Sequence, residues 1–79
     1  MTMEISLATE LDAPYILTLI QKYFPYFKLD LEGLLQRMRH PYFTYFRALE
    51  KEEFAGYVEL QIMDPVSRVI RLNAIAVKE

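Results

Sequence analysis

Three segments with the pattern of β-strands fill the second half of the chain: Phe43 to Glu50, Phe54 to Met63 and Arg68 to Val77. Only Lys51-Glu52-Glu53 separates the first pair, and only Asp64-Pro65-Val66-Ser67 the second. Parallel neighbours need a crossover of about a dozen residues or more. Links this short therefore force an antiparallel meander. In the middle segment Val58, Leu60 and Ile62 alternate with Tyr57, Glu59 and Gln61, which puts Glu59 on the polar, solvent-facing side of a strand; it would be a candidate general base only if that side lined a cleft.

The first half has a different period. Ile5 and Leu7 alternate with Glu4 and Ser6 as one short strand, and helical spacing follows. Asp12 is the expected N-cap of a first helix, with Thr9 as its rival and Pro14 in the first turn, where a missing N–H costs little. Ile16 and Ile20 carry the apolar stripe to about Tyr23, widened by Leu17 and Leu19. Pro25 disfavours helical geometry at Phe24 and ends the helix. Asp30 caps a second helix, in which Leu31, Leu34, Leu35 and Met38 share one face. Arg37, Arg39 and His40 suit its C-terminal dipole, and Pro41 closes it. The expected class is α+β, in the order β-α-α-β-β-β, with a mostly antiparallel sheet and two helices. Residues 1–79 read as a single partial domain.

Composition removes several functions. There is no cysteine, so disulfides, thiolate zinc sites and thiol catalysis are excluded together. Nine basic residues stand against eleven acidic ones with no basic block, so nucleic acid has no electrostatic footprint. The apolar runs are far shorter than the ~20 residues of a membrane span. The start lacks the basic and apolar regions of a signal peptide, and a cytoplasmic setting is expected. Apolar residues make up 53% of only 79 positions, more than a small domain readily hides, which points to a partner surface.

Catalytic templates fail on inventory. His40 is the only histidine and reads as a surface residue at a helix end. No metal-ligand cluster appears, and Gly33 and Gly56 are the only glycines, so there is no glycine-rich phosphate loop. Glu50, Glu52 and Glu53 read as a solvated hairpin tip. Gly56, inside a strand, marks a bulge or a close backbone approach. Tyr23, Phe24, Tyr26 and Phe27 read as core, as the lining of an apolar pocket, or as an interaction surface. The last strand, Val69 to Val77, is apolar on both faces, as in strands covered on both sides. The chain stops two residues later, as though something should follow.

Several stretches resemble GNAT-type N-acetyltransferase domains. Ile5-Ser6-Leu7-Ala8-Thr9-Glu10-Leu11-Asp12-Ala13-Pro14 resembles their opening strand and entry into helix one; Phe54-Ala55-Gly56-Tyr57-Val58 resembles their third strand; Leu72-Asn73-Ala74-Ile75-Ala76-Val77 resembles their fourth. The resemblance covers the whole chain and implies the N-terminal half of such a domain, part of an enzyme moving an acetyl group from acetyl-CoA to an amine. It implies that the backbone of Ile75, Ala76 and Val77 contacts the cofactor, and that the loop bearing Phe24, Tyr26 and Phe27 shapes the substrate site. The family's next motif, an Arg/Gln-x-x-Gly-x-Gly/Ala pyrophosphate loop, would begin at Lys78-Glu79, so the 79 residues alone are expected to be inactive. Ile70, Arg71 and Asn73 stand on the strand where some members carry a glutamate that acts as general base, and no catalytic residue is carried over.

The expected partner is a second copy of the chain or a complementing C-terminal half. The alternative function is a non-catalytic half-domain that binds or assembles through its exposed last strand. A free-standing α+β domain unrelated to acetyl transfer is a third reading.

Overall fold

The computed structural model describes residues 3–78; Met1, Thr2 and Glu79, which enter the readings of the two ends, lie outside the described residues. Strand β1 (Met3–Leu7) leads through a 3-10 turn (Glu10–Asp12) into helix α1 (Ala13–Tyr23). Helix α2 (Leu31–Arg39) follows, then β2 (Phe43–Glu50), β3 (Glu53–Asp64) and β4 (Val69–Val77). The four strands form one antiparallel sheet in the order β1-β2-β3-β4, so the expected class and meander hold.

The entry into α1 differs from the expected cap. Asp12 has helical backbone angles and no side-chain bond to the helix it precedes. Its carboxylate turns back to accept from the Thr9 N–H at 2.8 Å and the Thr9 hydroxyl at 3.2 Å. It also accepts from Arg47 on β2 at 3.0 Å. The 3-10 turn winds directly into α1, so the carboxylate is spent on fastening the turn to the sheet. Asp30 does cap α2, accepting from the Gly33 N–H at 2.8 Å.

Both helices lie on one face of the sheet. Ala13, Ile16, Leu19 and Ile20 of α1 join Leu34 of α2 against Tyr45, Tyr57 and Ala76. Ile16 and Leu34 are fully buried, while Leu31, at the start of the expected α2 stripe, stays exposed. The hairpin tip uses Lys51 and Glu52 at positive φ, the two-residue geometry whose twist matches the flanking strands. Its exposed residues fit the solvated reading.

Side chains directly opposite one another in a sheet share a face. Tyr45 and Glu59 are such a pair, as are Arg47 and Tyr57. The helices therefore cover the side of β3 that carries Tyr57 and Glu59. The solvent-facing expectation for Glu59 is overturned: its residue exposure is 5%. The apolar set, Val58, Leu60 and Ile62, lies on the opposite face with Leu72, Ile75 and Val77 of β4 and Ile5 and Leu7 of β1. These last five residues are at least half exposed. The doubly apolar strand β4 is an edge strand among the described residues, with neither its outer edge nor this face covered.

Candidate functional site

Gly56 allows β3 and β4 to close on each other. A Cβ there would sit 2.5 Å from the Ala76 carbonyl oxygen and 3.1 Å from the Val77 Cα, both backbone atoms. Both readings of this glycine hold, because the β2–β3 register also slips beside it, between Ala48 and Leu49. The Lys78 N–H donates to the Ala55 carbonyl at 2.6 Å. Antiparallel hydrogen bonding alternates along a strand, so Ala76 turns its N–H and C=O toward β3, and Ile75 and Val77 turn theirs outward. Of the three positions expected to offer backbone groups to a ligand, Ile75 and Val77 present them at the open edge, and Ala76 is committed to the ladder.

Upstream, β4 bulges. Glu59 pairs with Ala74 and Leu60 with Leu72, which leaves Asn73 as the extra residue. Such bulges bend a strand and re-aim a side chain, and they are common beside functional sites. Here the Asn73 amide nitrogen swings to the helix side, donating to Glu59 Oε2 at 2.7 Å and to Gln61 Oε1 at 2.9 Å.

Glu59 is the hub of this polar cluster. Arg37 Nη2 donates to its Oε2 at 2.8 Å, and the Tyr45 hydroxyl donates to its Oε1. Arg37 Nε also donates to the Tyr45 oxygen at 3.2 Å. The guanidinium lies 4.3 Å from the ring centre of Phe43 and 5.2 Å from that of Phe27, a cation–π arrangement. Burial, then the hydrogen bond to Glu59, holds the Tyr45 hydroxyl well above the ordinary phenol range. Burial, then the neighbouring Glu59 charge, pushes Tyr57 up to about 12. Asn73 Oδ1 is buried with no hydrogen-bond partner. A buried acceptor left unmade is costly, and an N–H that reached this oxygen would relieve that cost.

These groups floor a cleft of about 260 Å³ between the sheet and the α1–α2 loop. Phe24, Tyr26 and Phe27 line it from the loop side, and Arg71 and Ala74 from β4. Three of the four aromatic residues singled out in the sequence thus meet at one cleft, while Tyr23 packs against the core; Tyr26 is largely exposed, and Phe24 packs at the margin of the core. His40 lies apart as an exposed residue at the end of α2, its Nδ1 accepting from the Tyr42 N–H at 3.1 Å. Among the described residues no group of three metal-type side chains comes together, and no helix is long and apolar enough to cross a membrane.

Sequence reasoning missed Arg37, Tyr45 and Asn73 as partners of Glu59. The available signal was the hairpin itself, since the short turn at Lys51-Glu52 fixes Tyr45 close to Glu59 in register.

No family model and no curated protein matches the chain. Solved structures do. The chain is similar to the ribosomal-protein-alanine N-acetyltransferase of Brucella melitensis biovar Abortus 2308, at 18% identity and a TM-score of 0.76, covering 99% of this chain and 58% of that one. The aminoglycoside antibiotic 6'-N-acetyltransferase of Acinetobacter baumannii gives 18% identity and a TM-score of 0.79 over 98% of this chain and 58% of that one. An aminoglycoside acetyltransferase from an uncultured soil metagenomic sample, in complex with sisomicin, gives 20% and 0.70 over 96% and 56%. The chain therefore has the fold of the N-terminal half of a GNAT-type acetyltransferase domain. It spans a little under three fifths of the length of these structures.

Proposed function

We propose that the chain is part of an N-acetyltransferase that moves an acetyl group from acetyl-CoA to an amine, and that the cleft beneath the α1–α2 loop receives the amine. One observation carries this reading: the β4 bulge sets Asn73 Oδ1, buried and unpartnered, at the cleft, while the same strand turns Ile75 and Val77 N–H groups to an open edge a few residues on. An acceptor site and an edge able to take an extended, amide-bearing ligand thus share one strand. When bound, acetyl-CoA supplies an activated acetyl thioester. The chain's own residues bind and orient. The outward N–H groups of Ile75 and Val77 would hold the cofactor's carbonyl oxygens as fixed donors. Asn73 Oδ1 accepts from the amine and holds it at β4. Phe24, Tyr26 and Phe27 line the amine's approach from the loop side. Glu59 carries three donors, so it serves to fix Arg37, Tyr45 and Asn73 rather than to take the substrate's proton.

The 79 residues do not suffice for turnover in this reading. Gly33 lies in α2 and Gly56 in β3, so no described loop offers a glycine-rich cradle for a pyrophosphate. A complementing C-terminal segment, or a second polypeptide, would supply one, in the cytoplasm. The test is an acetyl-CoA assay of the complete product of the native gene against a panel of primary amines. Acetyl-CoA-dependent acetylation of an amine is expected, and Asn73→Ala should reduce it with the fold retained. Absence of transfer to every amine together with absence of acetyl-CoA binding would overturn the reading.

A second reading rests on the uncovered sheet face. Ile5, Leu7, Ile70, Leu72, Ile75 and Val77 are exposed there, a contiguity that monomeric proteins rarely leave bare. It supports a half-domain that assembles through β4 with a second copy or a complementing half, with no catalysis of its own.

A further inference from the structure

We infer that the acceptor is a small zwitterion, an amine that also bears a carboxylate, and that Arg71 is the residue that selects it. The inference rests on the acceptor-cleft reading and names its substrate class.

Three charged side chains line the cleft: Arg37, Glu59 and Arg71. Arg37 and Glu59 answer each other at 2.8 Å, and the flanking rings of Phe27 and Phe43 occupy the rest of the Arg37 guanidinium. Arg71 is different. It stands opposite Gln61 in the β3–β4 ladder, on the cleft side of the sheet, and is exposed. Among the described residues it has no hydrogen-bond or ion-pair partner. A guanidinium presents a planar fork that matches a carboxylate with two parallel bonds. The bulged Asn73 lies two positions along the same strand with an acceptor oxygen free. One strand thus offers a site for an anionic oxygen pair and a site for an N–H, the two ends of an amino acid.

The charges of the described cleft do not match the opposite class. A polycation such as an aminoglycoside needs several carboxylates. Among the described residues this cleft has one, Glu59, already held by Arg37, Tyr45 and Asn73. Ile20, Phe24 and Phe27 add an apolar wall, which suits an aliphatic or aromatic side group.

The test titrates the isotope-labelled native gene product with L-leucine, L-leucinamide and 4-methylpentanoate, read at the side-chain amide resonances of Asn73 and Gln61. L-leucine should bind about tenfold more tightly than the two analogues, each of which lacks one charge-assisted contact. Arg71→Gln should bring L-leucine down to the affinity of L-leucinamide while the unfolding midpoint stays unchanged, since Arg71 supports no contact in the fold. Equal or tighter binding of L-leucinamide, or an Arg71→Gln protein that still prefers L-leucine, would overturn the zwitterion inference and leave the acceptor cleft standing. Failure of all three compounds to shift either resonance would sink both.

Discussion

Arg37 on α2 and Glu59 on β3 meet at 2.8 Å beneath the α1–α2 loop, with side-chain exposures of 26% and 7%. The pair joins the helical layer to the sheet at the point where β4 bulges. Removing one partner of a buried pair leaves the other charge without compensation, at about 3–5 kcal/mol. Because Arg37 keeps some solvent, Glu59→Ala should cost about 3 kcal/mol, near the lower end, read from urea unfolding. The pair between Arg39 and Glu10 is also 2.8 Å long, but both side chains are more than half exposed. Screening by water makes such pairs weak, and Glu10→Gln should leave the urea midpoint where it was. Equal effects of the two substitutions would contradict this account.

Alkaline pH attacks the same cluster. Burial raises Tyr57 to about 12, and Tyr45 is raised as well, from an ordinary value of 10.0. A group whose folded pKa is raised contributes stability that is present below its unfolded value and is lost as pH climbs through the folded one. Stability should therefore fall from about pH 10 upward. Phenolate absorbance should show two of the six tyrosines ionising late, together with unfolding. Titration of all six as a single class in the folded protein would refute it.

The alternation of strands and the spacing of helices made the element order legible, because local periodicity is written in the sequence. Which face of the sheet the helices cover is not. In β3 the helix-facing residues Tyr57, Glu59 and Gln61 look more polar than Val58, Leu60 and Ile62, so the pattern alone places Glu59 in solvent. The partners that make its burial tolerable come from α2, β2 and β4, each distant in sequence. The Asn73 bulge was invisible for a related reason: an extra residue in a strand appears only once its neighbour's register is known. Gly56 was readable, since a glycine inside a strand has few other reasons to be there.

Gly56→Ala should separate β3 from β4. The new methyl would meet the Ala76 carbonyl oxygen and the Val77 Cα, neither of which can move without shifting the strand. Overpacking of this kind costs about 1–3 kcal/mol. Thermal unfolding should fall accordingly, and the amides of Ala76 and Lys78 should exchange faster with solvent. Unchanged protection at both amides would show that the contact is not tight.

The bare sheet face predicts association. Covering ~400 Å² of apolar surface is worth about 10 kcal/mol at ~25 cal/mol per Å², against roughly 4–15 kcal/mol for losing free motion. The balance is close, so association should depend on concentration. Sedimentation of the 79-residue chain should show assembly at high micromolar concentration, and Ile75→Lys should weaken it by placing a charge on the face to be desolvated. A well-folded monomer at that concentration would refute the prediction.

The central claim is that the outer edge of β4 carries acetyl-CoA beside the acceptor cleft. Acetyl-CoA titrated into the native gene product, followed at single backbone amides and in three variants, tests it most directly. The Ile75 and Val77 amides should shift and the Ala76 amide should not. Ile75→Val should bind almost normally. Val77→Pro, which deletes an outward N–H, should keep the sheet and lose most of the binding, whereas Ala76→Pro should damage the β3–β4 ladder itself. Undiminished acetyl-CoA binding by a folded Val77→Pro protein, with no shift at Ile75 or Val77, would contradict the account.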